Sequence, residues 1–530
     1  MKKKIWATFL RMGDKHYCYD VGTNNLLEIT ELHHHILKTY NYTNRAEVME
    51  TFRGTYPPRE ILGTLREIDE FHQREGGFIL QREMKSRFPF APREYEQLSK
   101  HLVNQVILNI TEECNFRCRY CTFSGKYPSF RRHGQKSMPW SILKKSVDFL
   151  VANSKFILEE TQKDLHLGFY GGEALLESEK IFRTVAYIAK RYGDIFPRFQ
   201  FSLTTNGSRF NRQNIRKFIE YGFVLHVSLN GPKDIHDAYR ISKDGGGTHD
   251  LIVEKLRSIQ KMDRRFFEQN VGFSVVFCPQ FQVQSVIEYF RRSFSRNRFF
   301  TASLVELEDT KLFRALDMGK ELREYDSDLR RLKKEYFLAK RAKEDDEILY
   351  SLFEKPLAVL HRRPLHALGE EMFPSGPCLP GLDKVFVDTE GNLHLCEKIN
   401  WNFPIGHVDE GLDTARIFQL IEGYLRCADG CKGCWAFRLC DDCFLSCVKG
   451  RNFSREKKQA FCKVERKRLK SDMRDYLRVL QENPRAFDGQ SLGDGEEDLF
   501  RLALAFLRSH PKSPSRGSPQ GRFKSPPIRP

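Results

Sequence analysis

The sequence contains no long uninterrupted apolar run. A membrane-spanning helix needs roughly 18 consecutive apolar residues, whereas the apolar runs near Phe169, Phe223 and Phe273 have the length of a strand and are broken by Gly, His or Ser. The run from Ile5 to Leu10 is also too short for a signal-peptide core of about 7–15 residues. We therefore expect a cytoplasmic protein without a membrane-spanning segment.

The cysteines are not spread along the chain as a secreted disulfide framework would require. Nine of the 14 lie between Cys378 and Cys462, and clustered thiols in a reducing compartment indicate metal ligands. The composition is 40% hydrophobic with 43 Phe, which excludes a disordered chain. At 530 residues the chain exceeds the usual size of one hydrophobic core, so we expect two or three domains.

Negative charge is in deficit. The formal net charge is +17, and residues 501–530 contain seven Lys or Arg but no Asp or Glu. Such a positive charge favours binding of nucleic acid, of an acidic peptide or of an acidic redox protein, or serves solubility alone. Charge by itself does not distinguish these roles.

From Gln105 onward, six apolar segments alternate with helical patterns. The predicted strands are Val106–Ile110, Leu165–Tyr170, Phe199–Leu203, Phe223–Leu229, Val271–Phe277 and Ser303–Leu307. Helices are predicted at Pro139–Asn153 and Ser178–Tyr192. This alternation predicts a parallel sheet with helices outside it, either an open sheet or a partial barrel.

The composition changes along the chain predict six regions. Alternating segments at Ile5–Leu10 and His16–Val21 predict a β-hairpin that begins an accessory domain of residues 1–100. The barrel region covers residues 101–310, a charged helical connector 311–375, and a cysteine-rich domain 376–470. A helical segment covers residues 471–508, and the Ser-Pro-rich basic tail, 509–530, is predicted to be disordered.

Three cysteines follow the first predicted strand, in the run Thr-Glu-Glu-Cys114-Asn-Phe-Arg-Cys118-Arg-Tyr-Cys121. Three thiolates on one loop bind three irons of a [4Fe–4S] cluster and leave one iron open for another ligand. The alternative is that these are ordinary core thiols, but Asn115, Arg117 and Arg119 between them disfavour it.

This C-x3-C-x2-C loop resembles that of the radical S-adenosylmethionine superfamily. The resemblance implies an α/β fold with a partial (β/α)6 TIM-type barrel, a small N-terminal α/β accessory domain and a C-terminal cysteine-rich iron–sulfur domain. It also implies that the open iron chelates S-adenosylmethionine, which is cleaved to a 5′-deoxyadenosyl radical. By the same resemblance, the segments after the second to fourth strands supply the cofactor-binding residues Gly171, Gly172, Glu173, Thr204, Asn206, Ser228 and Arg240.

The resemblance implies further detail for Glu173 and for Asn230. The carboxylate of Glu173 is expected to accept hydrogen bonds from the amino end of the cofactor. Asn230 stands where many relatives have Asp, and its amide keeps a hydrogen-bonding role without the charge.

The second group of cysteines has soft thiolate ligands that suit cubane clusters and structural zinc equally well. Its spacing resembles the SPASM extension of radical enzymes, which implies two auxiliary [4Fe–4S] clusters. Their implied ligands are Cys378, Cys396 and Cys443 for the nearer cluster, and Cys431, Cys434, Cys440 and Cys462 for the farther one. The gap after Cys440 is one residue shorter than in the family, so Cys447 is the alternative to Cys443; Cys427 is surplus, and an open auxiliary iron is an alternative.

SPASM enzymes act mostly on peptides and proteins, and the resemblance implies a maturase that forms thioether or C–C crosslinks in a ribosomally made precursor peptide. The first alternative is an anaerobic sulfatase-maturating enzyme that makes formylglycine. A reaction that removes a substrate proton needs a base near the auxiliary cluster; Glu397 matches the position of a carboxylate in sulfatase maturases and is the candidate, and the alternative is a surface glutamate on a turn. A zinc-rich nucleic-acid-binding protein is an alternative of another class, but it leaves the Cys114 loop unexplained. The expected partners are the precursor peptide, bound by the N-terminal domain, and a flavodoxin- or ferredoxin-type electron donor, with neither membrane nor nucleic acid.

Overall fold

The computed structural model describes residues 4–39, 44–279, 283–297, 300–307, 310–344, 346–382, 384–488 and 499–509. The predicted disordered tail, apart from Ser509, lies outside the described residues.

An antiparallel sheet of three strands lies near the start of the chain. Its strands are β1 (Ala7–Met12), β2 (Lys15–Asp20) and β3 (Asn25–Ile29), in the order β1-β2-β3. The predicted hairpin is confirmed, and the third strand was not predicted. It follows a turn in which Asn24 adopts the left-handed conformation, with a φ of 65°, which Asn tolerates better than most residues.

Three helices cover one face of this small sheet. They are α1 (Glu31–Thr39), α2 (Arg45–Phe52) and α3 (Pro58–Glu75). Their apolar sides meet the sheet in a core that includes Ile36, Ile68 and the buried thiol of Cys18. Cys18 is therefore an ordinary core thiol. The short elements β4 (Lys85–Ser86) and α4 (Pro92–Ser99) follow.

Six parallel strands form the centre of the molecule. They are β5 (Gln105–Thr111), β6 (Leu165–Gly171), β7 (Phe199–Thr205), β8 (Val224–Ser228), β9 (Val271–Phe277) and β10 (Phe300–Leu304). Each strand pairs with the next one along the chain. Parallel neighbours need a crossover connection, which helices supply here. This arrangement confirms the predicted α/β fold of the partial (β/α)6 type.

The crossover helices flank these strands. They are α5 (Trp140–Ala152), α6 (Lys155–Glu160), α7 (Ser178–Arg191), α8 (Arg212–Glu220), α9 (Lys233–Tyr239), α10 (His249–Met262), α11 (Arg264–Asn270) and α12 (Val283–Phe294). The predicted helices at Pro139–Asn153 and Ser178–Tyr192 match α5 and α7 within one residue at each end. Single 3-10 turns occur at Ala174–Glu177 and Phe196–Arg198.

The sixth strand lies three residues earlier than predicted. The expected strand was Ser303–Leu307, but β10 is Phe300–Leu304 and pairs with β9 so that Phe300 is opposite Phe273. Phe300 is buried against Phe290, with 5.1 Å between the ring centroids. The burial of this aromatic ring fixes the register, because a strand that is shifted along the chain would lose that contact.

The rest of the chain is mainly helical, with short strands. Its elements are α13 (Met318–Ala342), α14 (Glu347–Leu349), a π-helical turn (Tyr350–Glu354), α15 (Lys355–His361), β11 (Glu371–Met372), β12 (Val385–Val387), β13 (Asn392–His394), β14 (Gly406–His407), β15 (Gly411–Leu412), α16 (Thr414–Cys427), 3-10 turns at Asp429–Gly433 and Phe444–Ser446, β16 (Val448–Lys449), β17 (Asn452–Phe453), α17 (Arg455–Glu482) and α18 (Leu499–Ser509).

The cysteine-rich region extends the central sheet. β12 pairs in parallel with β5, and β13, β14 and β15 follow it, so the sheet has ten strands in the order β10-β9-β8-β7-β6-β5-β12-β13-β14-β15. Val385, Phe386 and Val387 are all buried. This hairpin obtains its hydrophobic core from the barrel, which explains how a region with few apolar residues packs.

The N-terminal sheet also packs against the cysteine-rich region. Trp6 contacts Phe437 with ring centroids 5.7 Å apart, and Tyr19 contacts Trp435 at 6.2 Å. Arg438 donates a hydrogen bond from Nη1 to the carbonyl oxygen of Val21 at 3.0 Å. None of the described helices is both long and apolar enough to cross a membrane.

Candidate active site

A cavity of about 1420 Å³ lies at the carboxyl ends of the parallel strands, where sheets of this kind bind ligands. The cavity is lined by residues from the loop after β5, from the ends of β6 to β10, and from the cysteine-rich region. The predicted site residues among them are Cys114, Cys118, Cys121, Gly171, Gly172, Thr204, Asn206, Ser228, Arg240 and Glu397. Residues from distant parts of the chain therefore meet in one space.

The loop that carries the first three cysteines is held by its backbone. Arg117 and Arg119 donate backbone N–H groups to the carbonyl oxygens of Ile241 and Tyr239, both at 2.8 Å. The Asn115 amide is tied to the loop after β7, because its Oδ1 accepts a hydrogen bond from Asn206 Nδ2 at 2.9 Å. These bonds fix the loop at the mouth of the barrel.

The three thiols of this loop fit an iron–sulfur cluster. All three are free, and burial raises the pKa of Cys114 to about 12 and that of Cys121 to about 11. Bound iron would reverse this preference for the protonated thiol, because a coordinating metal deprotonates a thiol. In the described residues no three His, Cys, Asp or Glu side chains converge on a single metal ion; a cubane does not require this, since each thiolate binds a different iron.

Gly171 and Gly172 allow β6 to touch this loop. A Cβ atom at Gly171 would lie 2.5 Å from the carbonyl oxygen of Thr111, and one at Gly172 would lie 2.2 Å from that of Glu113. The backbone N–H of Gly172 donates to Thr111 at 2.8 Å. The two glycines therefore also set the position of the cysteine loop, in addition to their place in the cavity wall.

Glu173 has a different position from the one predicted. It is 1% exposed and is not among the residues that line the cavity. Its Oε1 accepts hydrogen bonds from Thr205 Oγ1 at 2.6 Å and from the Leu175 N–H at 3.0 Å, and its Oε2 accepts from the Asn206 N–H at 2.6 Å. Burial raises the pKa of this carboxyl group. Glu173 thus joins the ends of β6 and β7 beneath the cavity.

Arg240 places a buried positive charge in the cavity wall. Its Nη1 donates to the Tyr120 hydroxyl oxygen at 2.8 Å, while its buried Nε has no partner among the described residues. Burial opposes the guanidinium charge, but Cys118 and Tyr120 outweigh that effect and raise the pKa of Arg240. An anionic group such as a carboxylate would satisfy both the charge and the free N–H.

Asn230 contacts Tyr120, which is the hydrogen-bond partner of Arg240. Its Nδ2 donates to the Tyr120 hydroxyl oxygen at 3.0 Å, and its Oδ1 accepts from the Val276 N–H at 3.3 Å. An amide can do both, whereas a carboxylate can only accept. The role of Tyr120 was missed at the sequence level, although its place between two of the cysteines was a signal.

Glu397 lines the wall opposite the cysteine loop. It follows Cys396 directly, and its Oε2 lies 3.4 Å from Lys384 Nζ. Burial, and then the charge of Glu397, raise the pKa of Tyr170 in the same cavity. Glu397 and the cysteine loop therefore face the same cavity.

The remaining cysteines fall into smaller groups. The thiols of Cys431, Cys434, Cys440 and Cys462 lie close enough to interact electrostatically. Gly376 brings the chain before Cys378 against residues 440–442, since a Cβ atom there would lie 2.1 Å from the Asp442 nitrogen.

Cys427 and Cys447 are both buried. The Cys447 thiol donates a hydrogen bond to the Phe444 carbonyl oxygen at 3.2 Å, and Cys427 lies close enough to interact with it electrostatically. The surplus cysteine, Cys427, therefore lies beside Cys447, which is the alternative to Cys443.

A buried ion pair among these cysteines was not predicted. Lys458 Nζ bonds to the carboxylate of Asp442, which also accepts a hydrogen bond from the Tyr424 hydroxyl. Lys458 is 2% exposed and Asp442 is fully buried. A lysine in a charged helix gives no sign at the sequence level that it points inward.

Comparison with known proteins agrees with this geometry. A family model described as the radical SAM superfamily matches residues 108–279. The chain is 22% identical over 346 residues to a cysteine-type anaerobic sulfatase-maturating enzyme of Clostridium novyi, covering 64% of this chain and 86% of that protein. It is 20% identical to the radical SAM cyclopropyl synthase TigE of Paramaledivibacter caminithermalis, covering 44% of this chain and 48% of that protein.

A solved structure shares the fold. Native anSMEcpe with bound AdoMet superposes with a TM-score of 0.51 at 17% identity, covering 76% of this chain and 100% of that chain. The same protein with bound AdoMet and the Kp18Cys peptide gives the same TM-score, covering 99% of that chain.

Proposed function

The chain contains a radical SAM domain and is a radical SAM enzyme, and from this premise we propose that it modifies a ribosomally made precursor peptide by forming a thioether or C–C crosslink. The observation that carries the proposal is the single cavity shared by the cysteine loop, Arg240 and Glu397. Its volume of about 1420 Å³ exceeds the 300–1,000 Å³ typical of pockets for one small molecule. It has room for S-adenosylmethionine and a peptide segment together.

The radical SAM domain implies a [4Fe–4S] cluster and S-adenosylmethionine. Cys114, Cys118 and Cys121 would hold the cluster. When bound, the two groups supply one-electron cleavage of a sulfonium, which yields a radical that abstracts a hydrogen atom. Arg240 binds the cofactor carboxylate, while Thr204, Asn206 and Ser228 offer hydroxyl and amide groups to its polar parts. Burial of the thiols keeps water away from them.

The substrate side of the cavity comes from the cysteine-rich region. Glu397 accepts a proton from the substrate after hydrogen abstraction, and its carboxylate lies 3.4 Å from Lys384 Nζ. We also propose that this region is a SPASM-type domain with two auxiliary clusters, the farther one on Cys431, Cys434, Cys440 and Cys462 and the nearer one on Cys378, Cys396 and Cys443. The hydrogen bond that the Cys447 thiol donates to the Phe444 carbonyl oxygen, at 3.2 Å, supports the choice of Cys443.

We propose that the N-terminal sheet binds the leader of the precursor. β3 is an edge strand, since it pairs only with β2 among the described strands. An extended peptide can add to such an edge through main-chain hydrogen bonds. The packing of Trp6 on Phe437 and of Tyr19 on Trp435 attaches this sheet to the region that supplies Glu397.

Formylglycine formation in a sulfatase is the second candidate, because the 22% identical relative that covers 64% of the chain is a sulfatase-maturating enzyme. The two candidates differ in their products. A crosslinked peptide keeps its sulfur and loses hydrogen, whereas a cysteine that becomes formylglycine loses its sulfur.

The test is anaerobic turnover of the reconstituted protein with dithionite, S-adenosylmethionine and either a Cys-containing precursor peptide or a sulfatase peptide. Mass spectrometry should show loss of hydrogen with retention of sulfur in the precursor peptide. Modification of the sulfatase peptide alone would favour the second candidate. Intact S-adenosylmethionine in every reaction would contradict both, and Cys114→Ala, which should lack cofactor cleavage, is the negative control.

A further inference from the structure

Charge is separated between the two sides of α17. The acidic residues on its inner side are paired with bases: Glu465 with Arg468 at 2.7 Å, and Asp475 with Lys333 at 2.5 Å. These pairs neutralise Glu465 and Asp475. The outer side is left with an excess of positive charge.

The outer side forms one basic face. From residue 463 to residue 478, the exposed positions of α17 are Lys463, Val464, Lys467, Arg474 and Arg478. The intervals of three, four and seven residues place them on the same side of the helix. Arg478 lies 3.7 Å from Glu482, but Lys463 and Lys467 have no ion-pair partner in the part of the chain that the structure describes.

This basic face begins at a predicted cluster ligand. Lys463 follows Cys462 directly, and Cys462 lies close enough to Cys431 to interact with it electrostatically. Val464, beside Lys463, is 68% exposed. An apolar residue surrounded by charged residues resembles a protein interface, which has an apolar centre and a polar rim.

We propose that the basic face of α17 is the docking surface for an acidic one-electron carrier protein of the flavodoxin type. The proposal rests on the proposed function, because a radical SAM enzyme must receive electrons. In each encounter the carrier loses one electron and the iron–sulfur site beside Cys462 gains it. Opposite charges favour such an encounter and increase its rate. A redox partner fits better than nucleic acid because the unpaired lysines adjoin Cys462 and surround an exposed valine.

The experiment uses the full chain and an acidic flavodoxin as the probe. The double variant Lys463→Glu with Lys467→Glu reverses two charges on the basic face. Its control, Arg212→Glu with Arg216→Glu, reverses two exposed charges at the same spacing on α8. The dissociation constant is measured from the polarisation of flavin fluorescence, at low and at high salt. We expect binding to the first variant to be weaker by about tenfold or more at low salt, and binding to the control to be unchanged.

A second readout separates docking from chemistry. Deoxyadenosine formation is measured with reduced flavodoxin and with dithionite, which needs no docking surface. The variant should be slow with flavodoxin and normal with dithionite. A wild-type protein that is inactive with dithionite would refute the proposed function instead. Equal flavodoxin affinity in the variant and the wild type would overturn the docking proposal, as would a loss confined to binding of an RNA probe.

Discussion

Gly172 offers a direct test of how the barrel positions its cysteine loop. In Gly172→Ala the new Cβ would lie 2.2 Å from the carbonyl oxygen of Glu113 and 2.8 Å from that of Glu112. Both obstacles are backbone, so the loop itself must move by roughly 1 Å. A displacement of about 1 Å can cost about 10²-fold in rate, and overpacking costs about 1–3 kcal/mol of stability. We therefore expect soluble protein with strongly reduced S-adenosylmethionine cleavage.

The assay is dithionite-driven deoxyadenosine formation, with iron content and urea unfolding measured on the same samples. Gly63→Ala is the matched control, because a Cβ atom there meets nothing within 4 Å and Ala suits a helix interior. Cleavage by Gly172→Ala within about twofold of the wild-type rate would refute the argument that the loop position limits the reaction.

Three further changes test other parts of the molecule. Glu397→Gln removes the proposed proton acceptor, so deoxyadenosine formation should persist while the yield of modified peptide, followed by mass spectrometry, falls by about 10²-fold or more. Lys458→Met leaves the Asp442 charge buried and unpaired, and the free energy of unfolding in urea should fall by about 3–5 kcal/mol. Cys427→Ser with Cys447→Ser should keep the wild-type iron content, because neither cysteine is a proposed cluster ligand.

Each of these changes has a control on the same part of the chain. Glu390→Gln alters an exposed carboxylate that pairs with Lys136 at 2.6 Å and should leave the peptide yield unchanged. Lys463→Met removes an exposed lysine of α17 and should not change stability. Cys443→Ser should lower the iron content. Equal effects in a variant and its control, or iron loss in the Cys427 and Cys447 double variant, would contradict the corresponding role.

Local sequence patterns determined the central strands and the first cysteine loop. β5 to β9 each overlap their predicted positions, because buried parallel strands are continuous apolar runs that stand out in the amino-acid sequence. The loop from Cys114 to Cys121 follows β5 directly, so three thiols are brought together by covalent proximity alone. The glycine and hydroxyl residues at the strand ends could be placed in one cavity because parallel strands all end on the same side of a sheet.

Contacts between distant segments were decided only by the tertiary structure. Glu173 faces inward because Thr205, at the end of the next strand, and Asn206, directly after it, supply its hydrogen-bond donors. No local sequence pattern predicts these contacts. The pairing of β12 with β5 and the ion pair of Lys458 with Asp442 likewise join residues that only the folded chain brings together. The sequence by itself therefore specified the reactive loop, whereas the partners of each buried polar group depended on packing, since desolvated groups must find hydrogen bonds wherever the fold provides them.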